Sequence, residues 1–198
     1  MKKLLHVAAI GLIALSVAGL QPVAAQEVTS GTILNKLKPK KTIKRGLRET
    51  GLSRNDAQFL DSLPGRGIQI NQRKKLAEII AEKELPKIDV QIQFELDSAE
   101  ISAAAHTQVE ALGAALSDPS MSKVRIALNG HTDTSGTDEH NFELSEARAA
   151  AVRRVLVTSY HLDPSRLIAV GFGEERLKDT YDPESPVNRR VEVVRITQ

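Results

Sequence analysis

Residues 129–148 read NGHTDTSGTDEHNFELSEAR. Asp133 stands just past a short alternating run, and Arg148 follows fifteen positions later, inside a stretch with helical spacing. An acid at the end of a strand and a guanidinium on the next helix are the two halves of a receptor for a zwitterion, because carboxylate only accepts and guanidinium only donates. The stretch reads as a binding site rather than a catalytic one. Upstream, Val124, Ile126 and Leu128 alternate with polar or small residues, which predicts a strand ending at Gly130. Downstream, a helix is expected from Thr137 or Asn141 to about Ser159. Leu144, Val152, Val155 and Leu156 form its apolar stripe, and Asp138 and Glu139 suit its positive end. A helix starting at Thr137 carries Arg148 about 16 Å along its axis. Residues 134–136 must then fold back along the helix, or the helix must begin nearer Asn141.

The flanks extend the pattern. Ile88, Val90, Ile92 and Phe94 alternate with Asp89, Gln91 and Gln93, a half-buried strand. Asp97 and Ser98 make a turn, and Ser102 can cap a helix with Ala105, Val109, Leu112 and Leu116 on one face, closed by Asp118-Pro119. After His161-Leu162-Asp163-Pro164 comes a strand over residues 166–170, a polar loop over 174–187 and a last strand around 191–196. The order is β-α-β-α-β-β. Strands joined through helices run parallel, and the last two can pair antiparallel. The expected fold is an α/β (α+β) two-layer sandwich, a mixed four-stranded sheet with both helices on one face, about 110 residues in all.

The N-terminal part has another character. Lys2, Lys3, an apolar run over residues 4–20 and Pro22-Val23-Ala24-Ala25 have the form of a secretory signal, expected to be cut after Ala25. The organisation expected is a signal peptide over 1–25, a basic linker or helical segment over 26–87, and the sandwich over 88–198. No other apolar run approaches the roughly twenty residues of a membrane span. The precursor's formal charge of +2 hides a split: residues 26–88 hold 14 basic and 7 acidic side chains, residues 89–198 hold 11 and 18. Lys36, Lys38, Lys40, Lys41, Lys44, Arg45 and Arg48, with thin apolar content, read as a solvated linker or as a basic arm for an anionic surface such as lipopolysaccharide. Two short helices are expected over residues 55–63 and 71–84, the second capped by Asn71 and carrying Leu76, Ile79 and Ile80 on one face. Six aromatics in the chain argue against a base-stacking platform for nucleic acid. Without cysteine there is no disulfide, thiolate metal site or acylated N-terminal cysteine.

Residues 88–197 resemble the OmpA-like peptidoglycan-binding domain found in OmpA porins and Pal-type lipoproteins. The resemblance rests on five blocks in order. They are Phe94-Glu95-Leu96-Asp97-Ser98-Ala99-Glu100-Ile101; Gly130-His131-Thr132-Asp133 with Gly136; Asn141-x-x-Leu144-Ser145-x-x-Arg148-Ala149; Gly171-x-Gly173-Glu174; and Asn188-Arg189-Arg190-Val191. Glu95 stands where the family usually has Asp, and a proline common after the fourth block is absent. The resemblance implies a periplasmic, wall- or outer-membrane-associated protein that binds peptidoglycan without cofactor, metal or catalysis. Asp133 would take the ammonium of the stem peptide's diaminopimelate and Arg148 its carboxylate, with Asp97, Ser98, Thr132 and Asn141 as the groove's supporting wall. An alternative is an envelope adaptor in which residues 26–87 bind a protein or anionic surface and the C-terminal domain only localises it.

Three further readings bear on the site. A bare Asp133–Arg148 salt bridge is the bland account of the pair. Arg189 and Arg190 are expected to be structural, tying down Glu174 or Glu175. The rival enzyme reading would use His131, Asp133 and His140 as metal ligands with Glu143 as base, but the spacing lacks the paired histidines of a helix-borne zinc site. No Gly-x-Ser-x-Gly elbow is present.

Overall fold

The computed structural model describes residues 28–39, 51–95 and 97–196. In chain order these form helices α1 (Ser30–Leu37), α2 (Arg54–Ser62) and α3 (Ile70–Glu82), strand β1 (Lys87–Val90), helix α4 (His106–Leu116), strand β2 (Ile126–His131), helix α5 (Asp138–Ser159), and strands β3 (Leu167–Gly171) and β4 (Arg190–Arg195). The β-α-β-α-β-β order expected from residue 88 onward is present. The signal segment over 1–25 and the basic residues Lys40, Lys41, Lys44, Arg45 and Arg48 lie outside the described residues.

The sheet order is β1-β4-β2-β3. β2 and β3 pair in parallel, as strands joined by a helix must, and β4 is antiparallel to both its neighbours. The last strand therefore does not pair with β3, which precedes it, but fills the slot between β1 and β2, with Val191 opposite Val90 on one side and Gly130 on the other. A tight hairpin would have placed β4 beside β3; the loop over residues 172–189 lets the chain pass over β2 instead. The outer edge of β3 is covered by residue 65, whose carbonyl accepts from the Ala169 amide at 3.0 Å.

α4 and α5 share one face of the sheet, where Val109, Leu112, Leu116, Val152 and Leu156 meet Val90, Ile126, Leu128, Val191 and Val193. α1 joins them. Its Ile33 and Leu37, one turn apart, are fully buried in the same cluster, so residues 30–37 are a packed helix and not a solvated linker. Two apolar residues at helical spacing are enough when a neighbouring helix supplies the other half of the contact. The opposite face of the sheet is covered by α2 and α3, through Leu60, Leu63, Leu76, Ile79 and Ile80 against Ala127, Ile168, Val170, Phe172 and Val194. This is why all six residues of β2 are buried, although alternation alone reads as half-buried.

Local chemistry sets the helix starts. Ser53 and Asp56 form a capping box that opens α2. α3 begins earlier than Asn71: the Gln69 amide donates to the Gln72 carboxamide oxygen at 3.1 Å, and Asn71 instead accepts from the amide of Gln72. Because α3 shares a core with the sheet, Leu76→Ala is expected to destabilise the sheet itself by about 2–5 kcal/mol. Chemical denaturation followed by a probe in the sheet reads this. An unchanged midpoint would mean that α3 folds apart from it.

Candidate functional site

α5 starts at Asp138, with the Thr137 hydroxyl accepting from the His140 amide at 3.3 Å and two acids in the first turn. Asp133 and Arg148 are brought near each other by the fold-back of residues 134–136, the first of the two routes open to the chain. Gly136 makes the reversal at φ +134°, a conformation L side chains rarely adopt. The Ser135 amide donates to Asp133 Oδ1 at 3.1 Å, and the Thr134 amide donates to the Pro183 carbonyl at 3.3 Å. Asn141, buried, donates from Nδ2 to the Asp133 carbonyl at 3.2 Å and to Glu174 Oε2 at 2.6 Å. A cavity of about 770 Å³ results, bordered by residues 91–95 and Asp97 on the strand side and by Thr132, Asp133, Asn141 and Arg148 on the other.

The two charges do not neutralise each other. Asp133 Oδ2 accepts from Arg189 Nη1, so its ion-pair partner is Arg189, and the bare Asp133–Arg148 bridge is not formed. A carboxylate has about four lone-pair sites. Ser135 and Arg189 supply two donors, which leaves acceptor capacity on a residue that lines the cavity. Arg148 is 8% exposed. Its Nε donates to the Ser98 carbonyl at 3.0 Å and its guanidinium lies over the Phe94 ring at 5.0 Å. Neither Nη donates to another described residue. Burial, then the charge of Arg189, lowers the Arg148 pKa, and Asp133 and Asp97 act the other way. A buried guanidinium with one backbone acceptor and two open donors is costly to fold and chemically ready for a carboxylate.

The remaining expected residues fall around the same cavity. Asp97 takes a left-handed backbone at φ +49°, and its carboxylate meets His140 Nε2 at 2.7 Å. Ser98 contributes its carbonyl, whereas its hydroxyl accepts from the Glu100 amide. The Thr132 amide is held by the Gly173 carbonyl, and its buried hydroxyl has no hydrogen-bond partner among the described residues. Arg189 and Arg190 do not hold Glu174 or Glu175. Arg189 goes to Asp133, and Arg190 goes to Asp89 Oδ1 at 3.1 Å and to the Asn188 and Arg176 carbonyls. Glu175 is held instead by Arg73 of α3 at 2.9 Å, and Arg73 also lies over the Phe142 ring at 4.4 Å. Sequence reasoning misdirected Arg189 and missed the parts played by Phe94, within a quoted motif, and by Arg73, far upstream. Only the fold aims them.

The metal reading finds no support in the geometry. His131 is buried, stacked on Phe172 at 5.5 Å, and its pKa is pushed down to about 3, first by burial and then by Arg190. Among the described residues no group of three His, Asp or Glu side chains could hold a metal.

Burial raises the pKa of Asp133, but the hydrogen bonds from Arg189 and Ser135 outweigh it, and the carboxyl titrates below its ordinary value. The unfolded chain binds this proton first as pH falls, so the stability that Asp133 contributes is fully present above about pH 4 and is lost as pH drops through the lower folded value. Asp133→Asn should flatten the acid limb of the stability curve below about pH 4. An identical limb would show that the Arg189 pair does not stabilise the fold.

Residues 93–190 match the model of the OmpA family, and this part of the chain is an OmpA family domain. Outer membrane porin F of Pseudomonas aeruginosa is 37% identical over 112 residues, 55% of this chain and 31% of the porin. The peptidoglycan-associated lipoprotein of the same species is 41% identical over 102 residues, 50% of this chain and 58% of the lipoprotein. A solved structure of a peptidoglycan-associated lipoprotein from Burkholderia pseudomallei is 28% identical, covers 52% of this chain and 87% of that chain, and superposes with a TM-score of 0.44. The chain thus spans less than two thirds of the length of either curated relative. These curated relatives are, by name, a porin of the outer membrane and a lipoprotein associated with peptidoglycan. Among the described residues no helix is long and apolar enough to cross a membrane.

Proposed function

We propose that the cavity binds cell-wall peptidoglycan without a covalent bond, through the diaminopimelate of the stem peptide. The ligand ammonium would sit on the open acceptor side of Asp133 and its carboxylate on the two Nη groups of Arg148. The observation that carries this reading is the pair's arrangement: both residues line one cavity, and Arg148 keeps two buried-site donors unspent. A planar guanidinium matches a carboxylate in two parallel hydrogen bonds, which a lysine cannot do. Asn141, Thr132, Asp97 and the Ser98 carbonyl hold the pair's surroundings in register. The place of action would be the periplasm of a Gram-negative-type envelope, reached through a cleavable signal over residues 1–25, with the protein held at the wall or outer membrane. Residues 28–39 and 51–85 turn their apolar sides to the domain, which leaves their polar sides for an anionic surface or a protein, as the adaptor reading would require. Co-sedimentation of the purified protein with wall sacculi tests the function. Retention that disappears on adding soluble diaminopimelate-containing muropeptides supports it, and a protein left in the supernatant at all concentrations rejects it.

A further inference from the structure

The strand side of the cavity is built in an unusual way. β1 ends in a bend at Gln91, where the Ile92 amide donates to the Val90 carbonyl at 3.1 Å, and residues 91–95 follow with exposure alternating from Gln91 through Ile92, Gln93 and Phe94 to Glu95. The last pairing of β1 with β4 is Val90 to Val191. Past that point one edge of the segment is taken by residues 100–102: Ser102 donates to the Gln93 carbonyl at 3.1 Å and Glu95 donates to the Glu100 carbonyl at 3.0 Å. In this antiparallel pattern the N–H and C=O of Phe94, opposite Ile101, point to the other edge. Neither makes a hydrogen bond to any described residue.

That other edge borders the cavity. All five residues 91–95 line it, although successive side chains of an extended chain point to opposite faces. The cavity follows the segment along its length, with the Phe94 ring beneath Arg148 as part of its wall. Facing them across the cavity are Pro186 and Arg189, part of the stretch that precedes β4 and would have continued the pairing. The cavity is a place in the sheet where a strand's partner is missing. Its volume of about 770 Å³ falls in the range that encloses drug-sized ligands, with room for more than one amino-acid residue.

Resting on the wall-binding reading, we infer that the open edge at Phe94 is a docking edge for peptide backbone, to which the extended peptide carrying the zwitterion adds as a short strand. Pairing of main-chain groups supplies affinity without reading side chains, and Asp133 and Arg148 supply the selection. The site therefore distinguishes a diamino acid within a peptide from the same amino acid free in solution.

The test uses the purified protein with three probes: free meso-diaminopimelate, a wall tetrapeptide with diaminopimelate inside it, and the same tetrapeptide with an ester in place of the amide at diaminopimelate. Amide hydrogen exchange at Phe94 and calorimetric affinity are read. The tetrapeptide is expected to slow exchange of the Phe94 N–H at least about tenfold at saturation, free diaminopimelate to leave it unchanged, and the ester to bind roughly two- to tenfold more weakly than the amide. Unchanged Phe94 exchange under saturating tetrapeptide, equal protection by the free diamino acid, or an ester that binds as tightly as the amide overturns the inference. When binding still depends on Asp133 and Arg148, only this inference falls. Complete failure of the tetrapeptide to bind removes the wall-binding reading with it.

Discussion

Alanine at Asp133 or at Arg148 is expected to lower affinity for wall sacculi roughly ten- to a hundredfold, since a hydrogen bond to a charged group is worth about 1.5–3 kcal/mol. The two losses have different causes. Asp133→Ala deletes the acceptor for the ammonium and releases Arg189, whose ion pair it holds, so the cavity gains net positive charge and repels the ligand's cationic end. Arg148→Ala deletes the two open donors and uncovers the Phe94 ring. Arg148→Lys keeps the charge but loses the planar fork, and is expected to bind nearly as poorly as alanine. The double variant should lose less than the sum of the single losses, because both side chains grip one ligand group. Val152 and Leu156 on the same helix are core residues, so circular dichroism and a denaturation midpoint must show each variant folded. Folded single variants that sediment like the parent would move the adaptor role of residues 26–87 to first place.

Gly130→Ala is expected to destabilise the fold by roughly 3 kcal/mol or more, at the upper end of overpacking effects because the obstacle is backbone. A Cβ on Gly130 would overlap the Ser145 carbonyl oxygen of α5, and one on its register partner Gly171 would approach the Glu146 amide at 2.7 Å. The two glycines let α5 lie directly on β2 and β3. No rotamer change relieves the clash, so the helix must lift, and it carries Arg148 one turn further along. For a chain of this size the loss corresponds to a fall of roughly 6–12 °C in Tm. Any folded fraction should also bind the wall more weakly. A variant with the parent's Tm and affinity would show that α5 does not depend on this contact.

Much of the candidate site was legible before the fold. Asp133 and Arg148 stand out because an acid after a strand and an arginine beside an apolar stripe each need a reason to be there, and the five blocks supply one. Asn141 was legible as a polar position in a quoted block, though not its double hydrogen bond to the Asp133 carbonyl and Glu174. Arg189 was visible but misdirected. Sequence proximity suggested Glu174 or Glu175, yet the residue before β4 faces Asp133 because β4 runs beside β2 and not beside β3.

Period-two and period-3.6 patterns are local, and they dictated the strands and the two main helices, while the start of α5, open between Thr137 and Asn141 in the sequence, is set by the Thr137 cap in the fold. Chain order alone set the parallel pairing of β2 and β3. The insertion of β4 between β1 and β2 was decided by tertiary structure, since a loop as long as residues 172–189 permits more than one landing place and hydrogen-bonded pairing on both edges selects among them. Tertiary packing likewise decided that α2 and α3 cover the second face: Ala127, Ile168, Val170 and Val194 form an apolar surface only once four strands lie side by side, and Leu76, Ile79 and Ile80 have nothing to bury against until they do. The open edge at Phe94 is of the same kind. It is defined by a partner that the sheet lacks, and that is a property of the assembled sheet rather than of any stretch of chain.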